Sequence, residues 1–427
     1  MNEIIDFLLL TEPNTRYVVL GSILLGASSA IVGCFTFLQK RALVGDAVAH
    51  SVLPGVCGAF LMAGTKNPFF LIIGAFISGW LSIICMNLIT KYSKLKEDTA
   101  VALILSVFFG FGVMLLTYIQ QSGNASQSGL ESFLFGKAAA LVGSDVWIFG
   151  GLAALMLLLV GLFYKEFIIV IFHKHFAQTL GLPIVAIEIL LTTLTVLAVV
   201  VGIQSVGVVL MAAMLVTPAA AARFWTNKLD KMLFISAGFG ALAAIGGAFV
   251  SYIQTQMPTG PWIVLVASMI AMISFFFAPK KGIVARKRRQ YLYKKQILEE
   301  NILKAIYHIT EKDTTKSISS LEDIGLQRQF KPTLLKKSLK KLTQKKFVLQ
   351  NKDGWQLTEK GNKKAKRLVK LHRLWELYLT EFVRLAPDHV HEAAEALEHI
   401  LTPEIEAQLE AKLKYPQKDP HDREIPY

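Results

Sequence analysis

The first 279 residues carry nine apolar runs, at roughly 17–38, 43–64, 68–90, 99–119, 144–163, 184–203, 205–222, 231–252 and 260–278. A helix needs about 20 such residues to cross a bilayer, and inside lipid its backbone polar groups must be satisfied within the segment. These runs predict an all-α polytopic membrane bundle of about nine transmembrane helices. The sixth and seventh runs are separated only by Gln204-Ser205, so eight spans is the alternative count. With 53% hydrophobic and 18% charged residues, the chain does not read as an ordinary soluble enzyme. Cys34, Cys57 and Cys85 lie in apolar segments without a CxxC pair and read as small core residues.

Charge divides the chain. Residues 1–279 hold 13 basic and 11 acidic residues, net +2; residues 280–370 hold 26 against 8, net +18; residues 371–427 hold 6 against 12, net −6. Basicity concentrated in one non-membrane segment points to a polyanion, either nucleic acid or anionic lipid. Lys40-Arg41, Lys91/Lys94/Lys96, Lys165/Lys174, Arg223/Lys228/Lys231 and Lys280-Lys281 fall in alternate loops. By the positive-inside rule these loops are cytoplasmic, which places everything after Lys280 in the cytoplasm.

Within the second run, Asp46 and His50 stand four residues apart, a spacing that puts both on one helical face. Ionisable groups at membrane depth are costly, which makes them functional candidates. Carboxylate plus imidazole is half of a site for Mn, Fe or Zn; the alternative is a helix-capping Asp46 and a buried structural His50. Pro54, Gly55 and Pro218 predict broken or kinked helices there. Between the fifth and sixth runs, Lys165–Pro183 is an amphipathic cytoplasmic segment, with Gly181 and Pro183 as its helix stop. Its exposed face suits a docking partner or the membrane surface, and His173 and His175 are either ligands or solvated.

After a basic linker, 280–295, the pattern predicts helices around 302–309, Ser317–Gly325 and Pro332–Gln344, then a hairpin of Phe347–Gln350 and Trp355–Thr358. Three helices and a hairpin is the order of a winged helix-turn-helix, whose third helix enters the major groove. Leu335, Leu339 and Leu342 form its buried stripe. Lys331, Thr333, Lys336, Lys337, Lys340 and Lys341 are the candidate DNA contacts, or a merely solvated face. Thr358 caps a long helix reaching about Val383. His372 and Glu376 pair at i, i+4 on it, and His391, Glu395, Glu398 and His399 share a face of the next helix. Two such faces suit a metal cluster or surface ion pairs.

Two resemblances follow from these words. Residues 17–279 resemble the permease subunit of zinc/manganese/iron ABC importers. The matching residues are Leu43 through Val56 (LVGDAVAHSVLPGV), Lys96-Glu97-Asp98-Thr99-Ala100, Phe133-Leu134-Phe135-Gly136, Phe176 through Gly181, and Val206–Leu210 with Leu215–Ala220. That resemblance implies Asp46 and His50 on the ion path and a homodimer or pairing with a second permease. It also implies an extracytoplasmic metal-binding protein, and a cytoplasmic ATP-binding subunit docking around Phe172, His175, Phe176, Leu180 and Gly181. Residues 296–427 are similar to the diphtheria-toxin-repressor and manganese-repressor family through Glu300–Tyr307, Leu357–Gly361, Lys370–Glu376, Val390–His399 and Pro420–Pro426. His372, Glu376, His391, Glu395, Glu398 and His399 match its ligand positions. Asn301 stands where that family has a Met or Asp ligand, and Lys304 where the manganese type has a Glu. No SH3-like third domain is expected.

Together these predict a permease domain (1–279), the linker, a winged helix-turn-helix domain (296–370) and a helical metal-binding and dimerisation domain (371–427). The expected function is import of a divalent metal (Mn, Fe or Zn), the same ion acting as co-repressor, in a bacterial inner membrane. The sequence has no GxxxxGK[ST], so no nucleotide is expected on this chain and ATP hydrolysis falls to a separate subunit. The alternatives are a membrane-tethered metal-sensing repressor, or a permease whose tail only gates or docks.

Overall fold

The computed structural model describes residues 5–7, 9–64, 67–121, 136, 141, 143–254, 257–313, 318–386, 390, 394–395 and 402–427, in two compact units, Met1–Arg286 and Lys287–Tyr427. Among the sequence expectations, Phe133-Leu134-Phe135, His391, Glu398 and His399 lie outside the described residues.

Among the described residues the regular structure of the first unit is helical: α1 (Pro13–Leu38), α2 (Val44–Ala63), α3 (Pro68–Tyr92), α4 (Glu97–Gln121), α5 (Gly143–Leu162), α6 (Tyr164–Phe172), α7 (Lys174–Thr179), α8 (Ile184–Val206), α9 (Val208–Trp225), α10 (Leu229–Ile253) and α11 (Thr259–Phe277). Among the described residues eight of them are long and apolar enough to cross a membrane: α1 to α5, α8, α10 and α11. The 18-residue α9 corresponds to the seventh run. It starts where a Cβ on Gly260 would meet the Val206 carbonyl at 2.9 Å. It ends where Trp225 Nε1 donates to Ser274 Oγ at 2.9 Å and Lys281 Nζ donates to the Arg223 carbonyl at 2.9 Å. α9 therefore runs beside α11, in the same direction and from one end of it to the other.

Two details depart from the sequence expectations. α8 continues through Gln204-Ser205 and ends at Gly207, whose φ of +89° only glycine adopts cheaply. Neither proline breaks its helix: α2 runs through Pro54 and α9 through Pro218. Small residues bring the helices together, as packing in lipid favours. A Cβ on Gly26 of α1 would lie 2.7 Å from the Gly240 carbonyl of α10. One on Gly55 of α2 would lie 2.1 Å from the Gly74 carbonyl of α3. Val48, Val52, Leu53 and Val56 of α2 are buried in the main core, with Val196, Val199 and Ile203 of α8.

The second unit contains most of α12 (Ile283–Lys312), then α13 (Leu321–Gln327), α14 (Pro332–Gln344), β1 (Val348–Asn351), β2 (Gly354–Leu357), α15 (Glu359–Glu381) and α16 (Pro403–Lys412). The expected linker is helical from Ile283 onward. α13 begins four residues later than its expected start, because Ser320 and Asp323 form a reciprocal capping box that sets the N-terminus. The hairpin pairs Val348 with Leu357 and Asn351 with Gly354, leaving Lys352-Asp353 as a two-residue turn. Ile302, Ile306, Ile324, Leu335, Leu339, Leu342 and Val348 make the core under it. Thr358 caps α15 by accepting from the Gly361 N–H at 3.0 Å. α15 and α16 are joined by Lys370, whose Nζ lies 2.7 Å from Glu406 and 2.6 Å from Glu410. Burial disfavours the Lys370 ammonium, but these two carboxylates outweigh it and raise its pKa.

Candidate functional site

Asp46 sits in the first turn of α2, where a negative charge is favourable. The cap is Leu43, and no side chain caps the helix. Its carboxylate faces His50 instead, Oδ1 to Nε2 3.6 Å. Two ligand atoms, each about 2.1 Å from one ion, lie about 3.4 Å apart at the tetrahedral angle. The observed spacing therefore admits a shared divalent cation with little movement. His50 Nδ1 is buried with no hydrogen-bond partner among the described residues, and the ring stands edge-on to Phe109 of α4, 4.9 Å between centroids. Pro54 adds a third feature that spacing alone did not reveal. It has no N–H, so the His50 carbonyl lacks its intrahelical donor. One turn of α2 thus presents a carboxylate, an imidazole and a carbonyl without its i+4 donor, beside the buried apolar residues Ala47, Val48, Ala49 and Val52. No cluster of three His, Cys, Asp or Glu able to hold a metal occurs among the described residues.

The segment between α5 and α8, expected on the cytoplasmic side, is two short helices, α6 and α7, broken at His173 (φ −140°, ψ 56°). Phe172, Phe176 and Leu180 are each about half exposed, while Ala177 is buried beneath them. His173 and His175 are exposed, as solvated residues would be. Gly181 closes α7 at φ +71°, and the Leu182 N–H donates to the Ala177 carbonyl at 3.2 Å. Lys174 Nζ, 2.6 Å from Glu188 Oε1, ties α7 to α8. The result is an apolar knob held in a fixed shape.

In the second unit, α14 buries Leu335, Leu339 and Leu342 and leaves Lys331, Thr333, Lys336, Lys337 and Lys340 exposed. Lys341 is half-buried instead. The Lys295 side chain beside it lowers its pKa, because two ammonium groups there repel. It therefore stands apart from the open row of cations.

His372 and Glu376 are both buried, with Nε2 3.1 Å from Oε1. This is close to the spacing of two adjacent donors at a right angle on one ion, about 3.0 Å for bonds near 2.1 Å. Glu376 also lines a cavity of about 460 Å³ with Asn301, Lys304, Lys312, Arg328 and Arg423. Glu395 is ion-paired with Arg328. The donor set on this side suits a divalent cation poorly: at the two expected ligand positions the α12 face offers an amide and an ammonium, its His308 imidazole pairs with Glu311 at 3.1 Å, and one expected carboxylate already holds a guanidinium. Arg328, Lys312 and Arg423 were not singled out in the sequence. The 301, 304, 308, 312 face of α12 could have been found by helical spacing; the terminal turn that delivers Arg423 could not.

That turn is fastened from both sides. Asp419 Oδ1 accepts from the His421 and Arg423 N–H groups, each at 2.8 Å. Arg373, buried on α15, donates to both oxygens of Glu311 at 2.9 and 2.8 Å. It also donates to the Glu424 carbonyl. Burial alone would raise the Glu311 pKa, but the His308 and Arg373 contacts outweigh it and hold the carboxyl down at about 2.

Residues 12–278 match the model of the ABC 3 transport family, and residues 358–427 match that of the iron dependent repressor, metal binding and dimerisation domain. The chain is 43% identical to the manganese transport system membrane protein MntC of Bacillus subtilis, over 89% of this chain and 87% of that protein. It is 40% identical to the zinc transport system membrane protein TroC of Treponema pallidum, over 67% of this chain and 98% of that one. Among solved structures, PsaBC from Streptococcus pneumoniae, in complex with Fab, matches with a TM-score of 0.60 at 35% identity, covering 66% of this chain and 99% of that one.

Proposed function

Because the chain belongs to the ABC 3 transport family, we propose that it is the membrane permease of an ATP-driven importer for a divalent metal (manganese, iron or zinc) with a fused, metal-responsive DNA-binding domain. The observation that carries this reading is the turn of α2 in which Asp46 Oδ1 and His50 Nε2 lie 3.6 Å apart at the start of a helix whose neighbouring residues are buried and apolar. These groups are transient ligands on the ion path, weak enough in number to release the ion as conduction requires. The similarity to manganese and zinc transport proteins supports the substrate class.

A cytoplasmic ATP-binding subunit docks on the knob of Phe172, Phe176 and Leu180, with His175 and Gly181 beside it. An extracytoplasmic protein delivers the metal, and the permease works as a homodimer or with a second permease. The chain lies in the bacterial inner membrane with nine spans, α9 included, and its second unit faces the cytoplasm. The course of α9 beside α11 supports that count. Lys331, Thr333, Lys336, Lys337 and Lys340 meet DNA, with Lys341 at the margin. A regulatory ion would be held by His372 and Glu376 together with His391; Glu395, Glu398 and His399 complete the expected set. Its chemistry would be to join imidazole and carboxylate groups from two helices.

The test is metal uptake by cells lacking their own importer that express this chain with its ATPase and metal-binding partners. Accumulation of manganese, iron or zinc, with competition ranking the three, is expected. No uptake above cells without the chain, at normal membrane levels, rules the reading out. Sequence-selective binding of upstream promoter fragments by the full chain tests the second unit, since phosphate contacts alone give affinity without selectivity.

A further inference from the structure

The cavity in the second unit lies where the repressor resemblance places a metal, yet fixed positive charge lines it. Asn301, Lys304 and Lys312 reach it from one face of α12, Arg328 from the end of α13 and Arg423 from the terminal turn. Lys304 is 5% exposed, so its ammonium is out of water, and a buried ammonium persists only among compensating acceptors. It is not a free cation, and Glu376 of the same cavity is likewise engaged. Glu395 is held by Arg328. Asn301 Oδ1 is buried with no hydrogen-bond partner among the described residues, leaving an acceptor available to a donor there. Among the described residues, four fixed cations (Lys304, Lys312, Arg328, Arg423) face two carboxylates, Glu376 and Glu395, with the imidazoles of His308, paired to Glu311, and His421 also on the wall. A divalent ion would enter against that excess, whereas an ammonium on a buried stem adds no ion to the site.

We propose that Lys304, with Arg328, takes the place of a divalent cation in this cavity. The tethered cations satisfy the carboxylates that a metal would bridge, and this part of the second unit holds its shape without metal. The inference rests on reading the second unit as a repressor-like domain. It narrows any metal response to His372 and the expected ligands outside this cavity.

The test compares manganese bound per chain in the detergent-purified full-length protein after equilibration with manganese chloride. All samples carry Asp46→Asn and His50→Gln to silence the bundle. Lys304→Glu is expected to gain one ion relative to the Lys304 chain. Lys304→Met keeps the side-chain length but removes the charge. In metal-free buffer it is expected to exchange amide hydrogens along α12 and α15 faster than the Lys304 chain, and manganese restores its protection. The Lys304 chain is expected to show the same protection in this region with manganese or chelator. Equal manganese in the Lys304 and Lys304→Glu chains overturns the proposal. So does a Lys304→Met chain with unchanged protection. Either result leaves the DNA-binding reading standing, because promoter binding by the same samples is scored separately.

Discussion

The two units partner their acids differently. In the second, three buried acids have fixed basic partners, Glu299 with Lys345, Glu300 with Lys364, and Glu406 with Arg367 and Lys370, while Glu376 faces His372. In the bundle, the partly exposed Asp46 pairs, among the described residues, with His50. An isolated buried carboxylate is expensive, and losing one partner of a buried ion pair costs several kcal/mol. A site supplied with its own lysine or arginine is stable but closed to a metal. A site whose only partner is a neutral-capable imidazole stays open to one. On the proposals above, the first arrangement is a site already filled and the second a site open to cargo.

Removing a fixed cation should have the largest effect. Arg373→Met strands Glu311, removes the guanidinium 3.7 Å from Asp419 Oδ2 and loosens the terminal turn, costing the second unit about 3 kcal/mol, toward the lower end for breaking a buried pair because Glu311 is partly exposed. Amide exchange along α15 is expected to rise accordingly while that of the bundle stays unchanged; unaltered exchange in both units would break the contrast. In the bundle, packing replaces charge. Gly55→Ala forces its Cβ against the Gly74 carbonyl and costs about 1–3 kcal/mol, read as a lower melting temperature in detergent.

Smaller effects sharpen the picture. Ser320→Ala removes half of the α13 capping box and costs about 1 kcal/mol, seen as faster exchange confined to α13 and its neighbours. Each of Lys336→Ala and Lys340→Ala should lower the salt slope of DNA binding by about 1, whereas Lys341→Ala should change it less. Glu311 supplies a pH test. Its carboxyl is held at about 2 when folded, below the unfolded value of about 4.3. Its contribution is complete above the unfolded value and is lost as pH falls through that value toward 2. Pepsin cleavage within 287–427 should therefore accelerate across that window, and less steeply in Glu311→Gln.

Much of this fold is legible in the sequence, for physical reasons. Lipid admits few backbone solutions, so apolar runs located each long helix of the bundle. The leucine stripe of α14 placed that helix from Pro332 to Gln344, as the structure has it. Local chemistry misled where two signals competed: Gln204-Ser205 looked like a loop, but Gly207 ends the helix. A capping box moved the start of α13. At the candidate sites, helical spacing brought Asp46 to His50 and His372 to Glu376. The carbonyl freed by Pro54 follows from a residue already noticed, read there only as a break. Arg328 and Arg423 were invisible because tertiary folding alone brings them beside Glu376.

The most direct measurement is manganese uptake by cells expressing the Asp46→Asn, His50→Gln chain with its partner subunits, normalised to the amount in the membrane. Initial uptake should fall at least about tenfold below that of the unmodified chain, on the scale of losing groups that hold a metal. Uptake at the unmodified rate, from a chain that inserts and assembles equally well, would contradict a cargo site on α2.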